Sequence, residues 1–197
     1  MRIGCFYLKI SRLKQFIRIA KMIGELIKSA TLSSLTQPQH DFLDTVSKTY
    51  RVMPQHIDFN MHINNAKYLE FFERGRWNHS VQTGSFNQLI RHGYNFIVAG
   101  IDIGYIRELK LFQRFNVETS YVGWDNKYFY LEQRCTVNGK IHAYALLKAV
   151  YTYKGKPVTP AQVFDVLNLK FNSIKMPEHM ELWKSLANAK RAYSEAI

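Results

Sequence analysis

Acidic residues are scarce in this 197-residue chain: 15 Asp and Glu stand against 27 Lys and Arg, a formal net charge of +12. The imbalance favours anionic partners, whether nucleic acid, a membrane surface or a phosphorylated ligand, without choosing among them. Cysteine is scarcer still. Cys5 and Cys135 are the only two, far apart and without a neighbour at metal or redox spacing, so neither a disulfide framework nor a zinc site is implied. Cys135, within YFYLEQRC, reads as a small buried side chain. No run of roughly 18 uncharged apolar residues occurs, which argues against a transmembrane helix. No internal repeat and no recognised nucleic-acid motif is visible, so nucleic acid is not an expected partner.

What is present suffices for one ordinary domain with appended ends. Apolar residues make up 47% of the chain, enough for a sizeable core. Residues 3–28 read as a basic amphipathic helix: Phe6, Ile10, Leu13, Ile17 and Ala20 form one stripe, with Lys9, Arg12, Lys14, Arg18, Lys21 and Lys28 interspersed. Residues 1–36 hold seven Lys or Arg and one Glu, about half of the net charge. Charges interrupt every apolar stretch a signal peptide would need. Two readings stay open. The helix lies on an anionic membrane surface, apolar side down, or it packs on its own domain or a partner chain. The polar stretch SATLSSLTQPQH reads as a linker.

The body begins with a strand in VSKTYRVMP. After the segment HIDFNMHINN, a helix is expected from Asn64 or Asn65 to about Gln82, with Ala66, Leu69, Phe72 and Trp77 among charged residues. Gly75 inside it costs up to ~1 kcal/mol against alanine, which a close backbone contact would explain. SFNQLIRHG reads as a short helix closed by Gly93. Long aromatic and β-branched strands follow: NFIVAGIDIGYIREL, FNVETSYVGW, KYFYLEQRCTV and IHAYALLKAVYTY. They are separated by turn signals that include Asp125-Asn126 and the hairpin dipeptide Asn138-Gly139. TPAQVFDVL opens a proline-initiated helix, and the stretch from Pro177 to the end is an amphipathic helix. One helix cannot cover both faces of a five-stranded sheet. The economical arrangement is a sheet wrapped around the long helix, with self-association through the remaining surface.

The element order, and the polar loop placed just before the helix, resemble the hot-dog fold of acyl-CoA thioesterases, most closely the 4-hydroxybenzoyl-CoA thioesterase-like group. That group's loop runs Asp-x-Asp-x-Asn-x-His-x-Asn-Asn, then Tyr two residues further on. Here the positions are His56, Asp58, Asn60, His62, Asn64, Asn65 and Tyr68. VGWDNKYFYLEQR, FQRF and the Trp183 helix are similar to a subgroup that includes the mammalian thioesterase superfamily member six and bacterial relatives. The implied fold is α+β: a hot-dog domain over residues 46–170, a long helix wrapped by a five-stranded antiparallel sheet. Residues 1–36 form an amphipathic extension and linker, and residues 171–197 a C-terminal helix.

The resemblance implies thioester hydrolysis. Asp58 acts as nucleophile or as general base on water, and the Asn65 backbone N–H polarises the carbonyl at the helix N-terminus. His62 hydrogen-bonds substrate or orients Asp58, or is a partly buried histidine with its own partners. Asn60 and Asn64 shape the turn and the cap beside substrate, and Tyr68 lines the pocket or packs in the core. His56 departs from the family pattern, which has an aspartate there; a protonated His56 would favour ionised Asp58. Lys110, Arg114, Lys127 and Arg134 could meet CoA phosphates or simply keep strand edges soluble.

The expected partners are an acyl-CoA or acyl carrier protein thioester and further copies of the chain, as homodimer or tetramer. Residues 3–28 are the candidate contact with an anionic membrane. No metal or cofactor is implied, and the expected location is cytoplasmic, with the inner membrane face as the site of any lipid contact. Two other classes compete. One is a non-catalytic acyl-thioester binder or membrane-associated scaffold, which does not need Asp58. The other is a hot-dog enoyl-thioester hydratase, whose Asp–His spacing is one residue longer than that of Asp58 and His62.

Overall fold

In a computed structural model of the chain, residues 38–170 and 174–195 are described. The amphipathic helix expected over residues 3–28 lies outside them. The elements run β1 (Val46–Arg51), a 3-10 turn (Pro54–His56), α1 (Asn65–Gln82), α2 (Ser85–Arg91), β2 (Tyr94–Tyr105), β3 (Arg114–Trp124), β4 (Phe129–Val137), β5 (Lys140–Tyr153), β6 (Lys156–Pro157), α3 (Pro160–Leu167) and α4 (Glu178–Glu195).

The strands form one antiparallel sheet in the order β1-β3-β4-β5-β2. β6 is a two-residue addition paired to β5, too short for a periodic signal, so the five-stranded expectation describes the main sheet. β4 and β5 are joined at Asn138 and Gly139, both with positive φ (48° and 76°), the backbone a two-residue hairpin turn requires. At the preceding turn the Asp125 carboxylate accepts from the Lys127 and Tyr128 N–H groups, both at 2.8 Å. β2 stops at Tyr105 rather than continuing towards Leu109. The Ile106 and Arg107 N–H groups both turn to the His142 carbonyl, at 2.8 and 2.9 Å.

α1 lies against β1 and β3 and buries Tyr68, Phe71, Phe72, Gly75, His79 and Val81. All but Val81 fall three or four apart and so share one face. Leu69 is not among them and stays 40% exposed. Gly75 is explained by proximity. A Cβ there would stand 2.6 Å from Val117 Cγ1 and 3.0 Å from Thr119 Oγ1, so only glycine lets the helix approach β3 this closely. On the other face of the sheet, α4 seats the fully buried Met180 with Met176 against Tyr130. α3 starts where expected, with a capping box between Thr159 and Gln162 and proline in its first turn.

Candidate active site

The segment between the 3-10 turn and α1 closes on itself as a small hairpin. Ile57 and Ile63 face each other across an antiparallel bridge. The Asp58 N–H donates to the His62 carbonyl at 3.0 Å, and the Asn64 N–H donates to the His56 carbonyl at 2.8 Å. The reversal between them needs a left-handed residue, and Met61 takes that role at φ 61°. The Asp58 side chain holds the turn from within: Oδ1 accepts from the Asn60 N–H at 2.9 Å, as aspartates do in turns. A second anchor comes from outside the loop, where the Ile63 N–H donates to the Leu109 carbonyl at 3.1 Å. Ile63 itself is buried in the core beside Val52 and Phe115.

The first turn of α1 uses its amide groups unequally. Asn64 is the N-cap in extended conformation, and its side chain accepts from the Ala66 N–H at 2.9 Å. The Lys67 N–H donates to the Asn64 carbonyl at 2.8 Å. That leaves Asn65, the first helical residue, whose N–H has no intrahelical acceptor. Asn65 is an exposed residue, and the positive end of the helix dipole lies at its amide. On the other side of the residue, the Tyr105 hydroxyl donates to the Asn65 carbonyl at 3.1 Å, and the Tyr105 ring lies 5.2 Å from that of Tyr68. Tyr68 is buried in the core, where burial raises its phenol well above the ordinary tyrosine range.

The loop therefore brings together Asp58, Asn60, His62, Asn64 and Asn65, while Tyr68 points into the core. Within the loop, the His62 imidazole has a partner that no local pattern announces. Its Nε2 lies 2.6 Å from Glu108 Oε2, with both side chains nearly half exposed. Glu108 also stands 3.6 Å from Lys110 Nζ, and His62 and Lys110 face each other across an isolated bridge. The Asp58 carboxylate makes no hydrogen bond to the His62 ring; the link between the two residues is through the backbone. Of the cations considered for phosphate contact, Arg134 lies 3.4 Å from Glu118 and Lys127 lies over the Tyr128 ring.

His56 is buried and does not act as a cation beside Asp58. Its Nδ1 accepts from the Met53 N–H at 3.0 Å, and its ring stands edge-on to Phe71 at 4.9 Å. Burial, then Lys67 and Arg74, lower its pKa below the ordinary histidine value. The ring is therefore neutral at neutral pH, and His56 stands before the loop as an uncharged acceptor. Among the described residues, no group of three or more His, Cys, Asp or Glu side chains could hold a metal ion.

The matched family model is that of the thioesterase-like superfamily, over residues 52–183. Protein THEM6 of Xenopus laevis is 36% identical over 94 residues, which are 48% of this chain and 45% of that protein. The match thus spans less than half the length of the Xenopus laevis protein. The long-chain acyl-CoA thioesterase FadM of Escherichia coli strain K12 is 32% identical over 102 residues, 51% of this chain and 77% of FadM. The crystal structure of the probable thioesterase YbaW from Escherichia coli superposes with a TM-score of 0.58 at 28% identity, covering 61% of this chain and 95% of that one. Sequence motif, sheet order and family model agree over the same span, and the chain belongs to the thioesterase-like superfamily.

Proposed function

We propose that the protein hydrolyses acyl-CoA thioesters, with Asp58 as the reactive carboxylate and the Asn65 N–H as the group that receives the oxyanion. One observation carries this reading: the cap spends the Ala66 and Lys67 amides internally and leaves the Asn65 amide open, directly after a hairpin whose first strand holds Asp58. In the general-base route, Asp58 takes a proton from water as the water oxygen bonds to the thioester carbon. The carbonyl oxygen becomes negative and accepts from the Asn65 N–H. The C–S bond then breaks, and the thiolate leaves and is protonated. In the nucleophilic route, Asp58 attacks first and water resolves the resulting anhydride. Each oxyanion donor of this kind is worth ~2.7–4 kcal/mol of barrier. His62, tied to Glu108, orients the turn rather than the Asp58 carboxylate.

The similarity to FadM, whose name specifies long-chain acyl-CoA, supports CoA thioesters over acyl carrier protein thioesters. A homodimer belongs to the same proposal. β2 has twelve residues and, among the described residues, pairs on one side only, with β5. Ile97, Val98, Ile101 and Tyr105 on it are exposed, and a long apolar edge strand invites pairing with a second copy. Among the described residues, no helix is long and apolar enough to cross a membrane; a peripheral contact through the cations of residues 3–28 remains a proposal. The test is thiol release from acyl-CoAs of graded length. Turnover that follows chain length supports the reading; tight binding of acyl-CoA without release supports the non-catalytic binder instead.

A further inference from the structure

One face of β2 meets α1 at two places. At one end Tyr105 reaches the Asn65 carbonyl. Ile103, two residues earlier and so on the same face, packs against the core. Beyond the bulge between Val98 and Gly100, Val98 and Phe96 line a cavity of about 100 Å³, together with Glu73, Arg76, Trp77, Ser80 and Tyr121. Asn65 and Arg76 are eleven residues apart on one helix, roughly 16 Å at 1.5 Å per residue. A chain leaving a carbonyl at the Asn65 amide and following β2 ends at this cavity.

The far end of that path is not apolar. Arg76 Nη1 donates to Gln133 Oε1 at 2.7 Å. Gln133 is 0% exposed, and its own Nε2 donates to the Phe72 carbonyl and to Thr119 Oγ1, both at 2.8 Å. Both ends of the buried amide are committed, so the guanidinium is held in one place. That bond uses one of five guanidinium N–H groups; the guanidinium makes no other hydrogen bond to the described residues, and no ion pair includes Arg76 or Glu73 among them. Burial pulls the Arg76 pKa down to about 10, with Glu73 and Tyr121 opposing it, so the group stays charged at neutral pH. A purely alkyl end placed there would cover unpaired donors. A carboxylate end would gain from Arg76 and be repelled by Glu73. A hydroxyl can accept from Arg76 and donate to Glu73.

We propose that the cavity between α1 and β2, walled by Arg76, Glu73 and Phe96, recognises a hydroxyl at the far end of the acyl group, making ω-hydroxyacyl thioesters of medium length the preferred substrates. This rests on the hydrolase reading and adds the substrate class to it. The experiment compares dodecanoyl-CoA with ω-hydroxydodecanoyl-CoA in the full chain. The wild type is expected to favour the hydroxylated substrate about tenfold or more in kcat/KM, mostly through KM. Arg76→Met brings the ratio to about one, and Arg76→Lys keeps part of it. Glu73→Gln, at an exposed position that should not disturb folding, shifts the preference towards an ω-carboxyacyl-CoA.

A wild-type ratio near one overturns the proposal. So does an Arg76→Met variant that lowers both substrates by the same factor, which would make Arg76 only a support for Gln133. Calorimetric binding of the matched non-hydrolysable S-alkyl and S-(ω-hydroxyalkyl) thioethers of CoA separates the two readings. Discrimination in Kd without turnover of either thioester overturns hydrolysis and keeps the pocket. Equal Kd values, with turnover intact, overturn the pocket and keep hydrolysis.

Discussion

At the front of α1 the chain leaves its polar groups half exposed and its backbone bent: Met61 is left-handed, Phe59 stands 106% exposed, and the Asn65 amide has no intrahelical acceptor. Three turns further on the same helix shows the opposite economy. Gly75 presses against Val117 and Thr119 with no room for a methyl group, and Gln133 bonds to Arg76, the Phe72 carbonyl and Thr119 at once. The front spends stability on unpaired donors that a substrate can use. The rear recovers it through close packing and a buried amide bonded at both ends, which holds the helix still while its N-terminus works. Changes at the rear should therefore move stability first, and changes at the front should move activity first.

The largest stability effect is expected from Gly75→Leu, where a side chain has to displace Val117 and Thr119. Overpacking of this kind costs about 3 kcal/mol, read as a lowered denaturation midpoint with an unchanged slope. Next is the pH dependence set by His79, behind Gly75 on the same face. Its Nε2 lies 3.2 Å from the Asp44 carbonyl, its Nδ1 has no partner among the described residues, and burial pulls its pKa down to about 4. The unfolded histidine, with a pKa near 6.5, binds a proton that the folded one refuses. The stabilisation is therefore complete above about pH 6.5 and is lost as pH falls towards 4, by about 3 kcal/mol in all. His79→Leu should flatten that part of the stability–pH curve; an unchanged curve would assign it to other groups.

Gln133→Leu leaves Arg76 and the Phe72 carbonyl without their partner. It should cost about 2 kcal/mol, visible as a lower melting temperature. The smallest stability effect belongs to the front. Asn64→Ala removes one cap, about 1 kcal/mol, yet should lower turnover more than Gln133→Leu does, because it loosens the amide next to it. If the rear variant lost more activity than the front one at temperatures where both are folded, the division of labour along α1 would be wrong.

Much of this was legible in the sequence, for physical reasons that can be named. Turn dipeptides such as Asn138-Gly139 dictate their own backbone, and alternating strands dictate their faces. Asn64 and Asn65, good cap residues before a proline-free run, place the start of α1 to within a residue. Gly75 announced a close approach, although not to what. Local pattern did not hold the partners of the site. Glu108 reaches His62 only because β2 ends by turning to His142, and Arg76 meets Gln133 only because α1 is laid across β3 and β4. Such pairings arise from the curl of the sheet and have no periodic signature. The protonation of His56 was likewise undetermined until its burial against Phe71 was known.

The central claim is that the Asp58 carboxylate drives thioester cleavage. The direct test is thiol release by the wild type and by Asp58→Asn, which keeps size and turn propensity and removes the charge. The account predicts acyl-CoA turnover by the wild type and a loss of at least about a hundredfold in the variant, with the melting temperature nearly unchanged. Equal turnover by the two proteins would contradict it and move the chemistry away from Asp58.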